Sequence, residues 1–355
     1  MIIYHNDCTE PYENMATEEY LLDSAGKEDI FMLWRNEPAV IIGRNQNAYA
    51  EINLETAERK NIKIVRRLTG GGAVFHDLGN LNYTFISSDI ENGTLNFARF
   101  CDPIIAALRE LGLNAEMSGR NDITVDGFKV SGTAQCVRNG HIMHHGTLLW
   151  SADLSDMADV LRPDETKLAS KGIKSVQSRV GNISSLLKNA NGGGISDSAE
   201  NTKMNSDPVN VETNSEGANT KILPESADDF RGYLESRFGG NISFFTDEQR
   251  AEIRRLADEK YSSWDWIFGK SKEYTQRKKA RFAYGLVEIS VTLDRGIINE
   301  ISIQGDFFGS KPINELEEKL CGVRFVREEI IKGLSDVGSY IYGAVPGDIE
   351  QLIIG

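Results

Sequence analysis

Short apolar runs alternate with helically spaced ones along this chain. Ile2–Tyr4, Phe31–Trp34, Ala39–Ile42 and Leu81–Ile86 are compact apolar runs of the kind that form strands, and Asn36–Pro38 marks a turn between the second and third. Tyr12–Leu22, Leu54–Lys60 and Phe97–Leu111 repeat apolar residues at three and four, which predicts helices, the last ending at Gly112. Ile62–Val65 is a β-branched run entering a glycine cluster. Ile123–Val125 and Phe128–Val130 flank Asp126-Gly127, a hairpin signal because both central turn positions need positive φ. His141–Trp150 reads as a further strand and Ala227–Phe238 as a helix. Thr246 and Gln249 form a capping-box pair that opens a helix running to Tyr261. Leu286–Leu293 and Ile297–Ile303, joined by Asp294-Arg295-Gly296, predict a second hairpin, followed by amphipathic helices at Asn314–Leu320 and Val326–Leu334. No internal repeat is visible.

The stretch Asn189–Thr220 breaks this pattern. It is rich in Asn, Ser, Gly and Glu and nearly free of large apolar residues, so it reads as a disordered surface insertion. The chain divides into residues 1–245, a mixed α/β unit containing that insertion, and a smaller α+β unit at 246–355. A net charge of −14 argues against nonspecific binding to nucleic acid or acidic membranes, so any anion site must be built locally. No apolar run is long enough to span a bilayer, and the N-terminus lacks the basic and apolar regions of a secretory signal. Cys8, Cys101, Cys136 and Cys321 are scattered without a metal-type pair, which suits a reduced cytoplasmic protein.

Three segments carry candidate chemistry. In Arg66-Arg67-Leu-Thr-Gly70-Gly71-Gly72-Ala73-Val74-Phe75-His76-Asp77, three glycines open the backbone to a ligand, and two arginines supply charge for carboxylate or phosphate. The spacing is neither a Walker loop nor a dinucleotide fingerprint. Taken alone, such a loop is as often a structural turn. In Gly119-Arg120-Asn121-Asp122 through Lys129-Val130-Ser131-Gly132-Thr133-Ala134, strand alternation places Phe128 and Val130 on one face and Lys129 with Ser131 on the other. If the first pair faces the core, Lys129 faces a cleft or solvent, and Asp122 becomes a candidate Mg²⁺ carboxylate. A strand lysine is most often simply solvated, and an Asp before a strand most often forms a turn. His144-His145-Gly146-Thr147 has adjacent histidines pointing to opposite faces, which argues against a shared metal and for hydrogen-bonded, half-buried rings.

Together these segments resemble the lipoate–protein ligase family. Its R-R-x-[ST]-G-G-G-A-V-x-H-D-x-G-N, G-R-N-D-x-x-x-x-G-x-K-x-S-G-x-A and H-G-T-L-L marks stand here in the family's order. Lys174–Asn182 matches a fourth family stretch, and Ser263–Gly269 resembles the start of the accessory C-terminal domain of the larger members. The resemblance implies an α+β protein: a mixed-sheet catalytic domain of the biotin/lipoate ligase, class II synthetase-like fold, with a smaller α+β C-terminal domain. It implies ATP and Mg²⁺ as cofactors and lipoate as substrate, activated to lipoyl-AMP and passed to a lysine of an apo lipoyl domain. The family's usual acceptors are glycine-cleavage H protein and the E2 subunits of oxo-acid dehydrogenases. By the same resemblance Lys129 is the catalytic residue, contacting both the lipoate carboxylate and the α-phosphate. Arg67 and the backbone of Gly72, Ala73, Val74 and Phe75 match the nucleotide contacts. Arg66, Gly71, His145 and Gly146 join Lys129 around lipoate, and Asp122 is the metal candidate. A monomer without nucleic-acid or membrane partners is expected.

The rival enzyme reading is an octanoyl- or lipoyl-transferase of the same superfamily, which needs a nucleophilic cysteine. Cys136 is the thiol nearest the lysine segment, and a thiol on a strand flank is usually an inert small hydrophobe. A biotin ligase fits the arginine and glycine pattern less well. A non-catalytic acyl-binding protein would be signalled by loss of Lys129 or the glycine loop, and both are present.

Overall fold

The computed structural model describes residues 1–88, 95–161, 180–191, 223–268, 276–294 and 296–354. The first body contains β1 (Ile2–His5), β2 (Ile30–Trp34), β3 (Ala39–Ile42), β4 (Lys63–Arg66), β5 (Val74–His76) and β6 (Asn80–Ser87). It continues with β7 (Ala115–Ser118), β8 (Asp122–Val125), β9 (Phe128–Arg138), β10 (His141–Leu149) and β11 (Asn241–Ser243). Eight of these strands form one sheet in the order β11-β1-β2-β6-β10-β9-β8-β7. β1 runs parallel to β11 and β2, and the remaining pairs are antiparallel. A small second sheet, β4-β3-β5, lies beside it.

The main sheet is covered on both faces, which is why β2 reads as an unbroken apolar run. Its Phe31 and Leu33 join Leu81, Tyr83 and Phe100 under helices Phe97–Glu110 and Ala227–Phe238. Its Ile30, Met32 and Trp34 face Met15, Leu21 and Leu22 of helix Pro11–Ser24. The Asp126-Gly127 turn has both residues at positive φ, 50° and 82°, as the sequence requires for a two-residue hairpin. Asn139-Gly140 repeats that device between β9 and β10, at 50° and 74°.

The capping box of Thr246 and Gln249 is present and opens helix Asp247–Leu256. The helix does not continue regularly to Tyr261. Ala257–Tyr261 widens into a π-helical turn, closed by Ser262 N–H donating to the Ala257 carbonyl at 2.9 Å. That turn aims Lys260 and Tyr261 at the buried Glu19 carboxylate, at 2.6 and 2.7 Å. Phe245, Ile253, Ala257 and Tyr261 consequently share a core with Met15 and Trp34 of the first body. Packing therefore places residues 247–268 with the first body, unlike the expected division at 245/246.

The second body begins with β12 (Gln276–Phe282), β13 (Gly285–Asp294) and β14 (Ile297–Gly305), an antiparallel sheet. Helices Ile313–Leu320, Arg327–Gly333 and Pro346–Ile354 cover it around Val287, Ile289, Ile301 and Leu316. The α+β expectation holds for both bodies. Most of the Asn189–Thr220 stretch lies outside the described residues, but its first three residues close helix Ile183–Asn191. Lys174–Arg179 of the fourth family stretch and Gly269 also lie outside them. No helix among the described residues is long and apolar enough to cross a membrane.

Candidate active site

A cleft of about 270 Å³ opens between the main sheet and the small one. β9 and β8 bring Lys129 and Asp122 to its mouth, where the Lys129 ammonium sits 2.8 Å from the Asp122 carboxylate. A Cβ on Gly132 would stand 3.2 Å from the Lys129 Nζ, so that glycine makes room for the lysine to lie across its own strand. The register shifts between Ile123 and Thr124, which bends β9 at Val130. One expectation fails there. Val130 is buried, but Phe128 is 41% exposed, because it directly follows the turn at the tip of the hairpin. Lys129 still faces the cleft.

The glycine loop does more than admit a ligand. A Cβ on Gly70 would meet the Phe307 carbonyl oxygen of the second body at 2.2 Å. Gly71, at φ 94°, is hemmed by the Arg67 guanidinium and the Phe308 ring. Gly72 alone has open space around it, and with Gly71, Ala73 and Val74 it borders the cleft. Phe75 does not border it; its side chain packs between Val40 and Ile42 on the far side of the small sheet.

The two arginines separate. Arg67 lines the cleft and holds the loop in shape, donating to the carbonyls of Ile41 at 3.0 Å, Gly70 at 2.6 Å and Gly72 at 2.9 Å. Burial pushes its guanidinium down to about 10, still cationic at neutral pH. Arg66, expected at lipoate, is absent from the cleft. It is 3% exposed, and its nitrogens donate to the carbonyls of Gly43, Gln46 and Trp266 at 2.9, 2.7 and 2.9 Å. Trp266 Nε1–H returns a hydrogen bond to the Arg66 carbonyl. Arg66 thus ties helix Trp264–Phe268 to the loop after β3, a role set by residues 200 positions away and unreadable from the motif.

His145 and Gly146 both border the cleft. Arg67 Nε–H donates to Thr69 Oγ1 at 2.9 Å, so the Thr69 hydroxyl proton is directed to His145 Nε2, 2.7 Å away. His145 Nδ1–H then donates to Glu18 at 2.8 Å. The space a Cβ on Gly146 would take is filled by the Tyr83 hydroxyl, so this glycine serves packing as well as the cleft. His144 points the other way, stacked on Phe100 and bonded to Gln135, and burial holds it well below its usual range. The opposite-face reading of the pair is correct.

Several lining residues carry no signal in the sequence. Met15, Trp34 and Ile41 give the cleft apolar wall, and Asn82 adds a buried amide. Arg120, Asp306 and Phe308 close its rim. Arg120 lies over the Phe308 ring, 4.4 Å from its centre, and donates to the Tyr284 carbonyl at 2.6 Å. Of the three, only Arg120 belongs to a marked motif; Asp306 and Phe308 signal nothing until the two bodies meet. Among the described residues no cysteine borders the cleft, and burial pushes the Cys136 thiol up to about 12, far from a working thiolate.

A cationic mouth with an opposed carboxylate, a glycine loop held by a buried arginine and an apolar interior suit an acid activated on a nucleotide. Known proteins agree with that chemistry. The lipoyl protein ligase A/B catalytic domain model matches residues 10–197, and the bacterial lipoate protein ligase C-terminus model matches 271–353. Lipoate–protein ligase 1 of Staphylococcus aureus is 36% identical over 98% of this chain and 97% of its own. The chain belongs to the lipoate–protein ligase family. A Bacillus subtilis lipoate–protein ligase, LplJ, is 35% identical over 95% of this chain and 94% of its own. The P. falciparum LipL1 structure, a complex with lipoate, superposes with a TM-score of 0.76 at 22% identity over 99% of both chains. The bipartite lipoate protein ligase of Thermoplasma acidophilum, described with its E2 lipoyl domain, gives 0.59 at 26% identity over 77% of this chain and 98% of its own. The second family model starts after the helix that Arg66 anchors, in line with the packing boundary rather than with 245/246.

Proposed function

We propose that this ligase activates lipoate in the cleft through Lys129 and then transfers it to a lysine of an apo lipoyl domain. In the first step a lipoate carboxylate oxygen attacks the α-phosphorus of ATP. The bond to the bridging oxygen breaks, and pyrophosphate leaves with the electron pair. Two anions must approach each other, and Lys129 stands where a compact ammonium can bridge them. Arg67 holds the backbone of Gly72, Ala73 and Val74 toward the phosphates, while His145 and Gly146 border the acyl group. Asp122 would hold Mg²⁺ through one hard carboxylate oxygen. The bound ion would neutralise phosphate charge. In the second step the neutral amine of the carrier lysine attacks the acyl carbon, AMP departs, and the amine loses a proton. H protein and E2 lipoyl domains are the acceptor classes, and the work is done in the cytoplasm by a monomer.

The observation that carries this reading is Lys129 lying beside Asp122 at the mouth of the cleft, 2.8 Å apart. Lys129→Ala should fold normally, since the side chain is 40% exposed and packs little. Pyrophosphate release with lipoate and ATP should fall roughly a hundredfold or more, the usual cost of removing one preorganised charge. Lys129→Arg should rescue poorly, because a planar fork does not replace a compact ammonium between two anions. Near wild-type release by folded Lys129→Ala would remove Lys129 from the mechanism.

A further inference from the structure

His76 is a buried group that the proposed reaction does not use. It borders the cleft, is 4% exposed, and stands edge-on to Trp34 with ring centres 5.9 Å apart. Its tautomer is set by a chain of amides that starts at a backbone N–H. Cys8 N–H donates to Asn6 Oδ1 at 3.1 Å, and Asn6 Nδ2 donates to Asn14 Oδ1 at 2.9 Å. Asn14 Nδ2 donates to Asn36 Oδ1 at 2.8 Å, and Asn36 Nδ2 reaches His76 Nδ1 at 3.1 Å. Each amide oxygen accepts from the group behind it, which fixes the amide's orientation and leaves its NH2 facing onward. His76 Nδ1 is therefore the acceptor, and the ring proton sits on Nε2. Burial among apolar neighbours and the nearby Arg67 charge hold the ring neutral, pushed down to about 3.

Among the described residues the Nε2 nitrogen has no hydrogen-bond partner. With Nδ1 turned to Asn36, Nε2 is the unused nitrogen of a ring in the cleft lining, buried just beneath the lining surface. Trp34, which His76 meets edge-on, and Met15 and Ile41 are apolar side chains of the same cleft lining. A donor fixed by four residues and then left unanswered needs a partner from elsewhere, because an orphaned buried donor is costly. The place fits the far end of an acyl chain whose carboxylate is at Lys129. Trp34 pairs with Asn82 across β2 and β6, and β6 is separated from the lysine-bearing β9 only by β10. Two strand spacings are roughly 10 Å. Asn82, whose buried Nδ2 is also without a partner among the described residues, lines the same cleft.

We propose that His76 is a specificity-determining residue, whose Nε2–H donates to a ring sulfur of the bound lipoyl group and so distinguishes a dithiolane from a hydrocarbon end. This rests on the lipoate ligase reading above. A disulfide sulfur is a weak acceptor, yet a weak acceptor answers the donor where a methylene leaves it orphaned. The carboxylate, chain length and reacting atoms can stay the same while only the ring changes.

The test compares lipoate with 5-cyclopentylpentanoate, its ring-carbon counterpart, in ATP-dependent pyrophosphate release by the full-length protein. The wild type should prefer lipoate in kcat/KM by about tenfold or more, the fold-change expected for one buried donor satisfied or not. His76→Phe keeps ring volume and loses the donor, so the ratio should move toward one. His76→Gln keeps an N–H donor and should restore part of the preference. A purely structural role would slow both acids together and leave the ratio unchanged, which overturns the proposal. A wild type that treats the two acids alike overturns it too, whether or not the variants fold. Release with neither acid would instead remove the ligase reading and this inference with it.

Discussion

Arg66 and Arg67 are neighbours in sequence and both buried, at 3% and 5% exposure, yet only one reaches the cleft. Arg66 points its donors at carbonyls of the loop after β3 and of helix Trp264–Phe268. Removing it leaves several buried carbonyls short of a donor at once, each worth about 1–3 kcal/mol. Arg66→Met should therefore lower stability by about 3 kcal/mol or more, read as a drop in the denaturation midpoint, and Arg66→Lys should recover little of it. A midpoint within a degree or two of wild type would show that the guanidinium is not the tie it looks to be. Lys129→Ala gives the opposite signature, with the midpoint kept and adenylation lost. Side by side, the two variants separate a positioning arginine from a catalytic lysine.

The glycine loop shows how one sequence element divides its work. Gly70 lets Phe307 approach, Gly71 accommodates Arg67 and Phe308, and Gly72 faces open space. Gly70→Ala should force the second body away from the loop and lower the thermal midpoint. Gly72→Ala should leave the midpoint unchanged and raise the KM for ATP, because its new methyl meets only the incoming ligand. Equal effects of both substitutions on stability would contradict this division. Legibility in the sequence divides in the same way, between local and long-range causes. The Asp126-Gly127 hairpin, the Thr246 capping box and the apolar strands are readable because turn chemistry and periodicity are local. Strand β5 is three residues inside the glycine motif, too short for a periodic signal. Alternation misplaces Phe128 because a bulge and the hairpin tip interrupt it. The cleft's Trp34, Asn82 and Asp306 carry no local mark at all. They become site residues only through pairings such as Trp34 with Asn82 across the sheet, or through the docking of the second body.

At the scale of the whole molecule, the second body sits at the rim of the cleft through a handful of contacts. Gly305 N–H donates to the Asn45 carbonyl at 2.8 Å, Arg120 donates to the Tyr284 carbonyl, and Phe308 packs on Phe97 with ring centres 5.2 Å apart. We propose that this body is a movable cover, keeping water from the mixed anhydride until a carrier arrives. Helix Trp264–Phe268 is held to the first body by the hydrogen bonds between Arg66 and Trp266. Protease sensitivity between about Tyr261 and Lys279 should then change when lipoate and ATP are added together. Identical cleavage with and without them would count against a cover. The central claim is that this cleft drives an ATP-dependent acyl activation, and the most direct measurement needs only the purified protein, ATP, Mg²⁺ and lipoate. Pyrophosphate should appear when lipoate is present, with no carrier protein, and should not appear without lipoate. Transfer of an acyl group to a lipoyl domain with no ATP consumed and no pyrophosphate formed would contradict that claim.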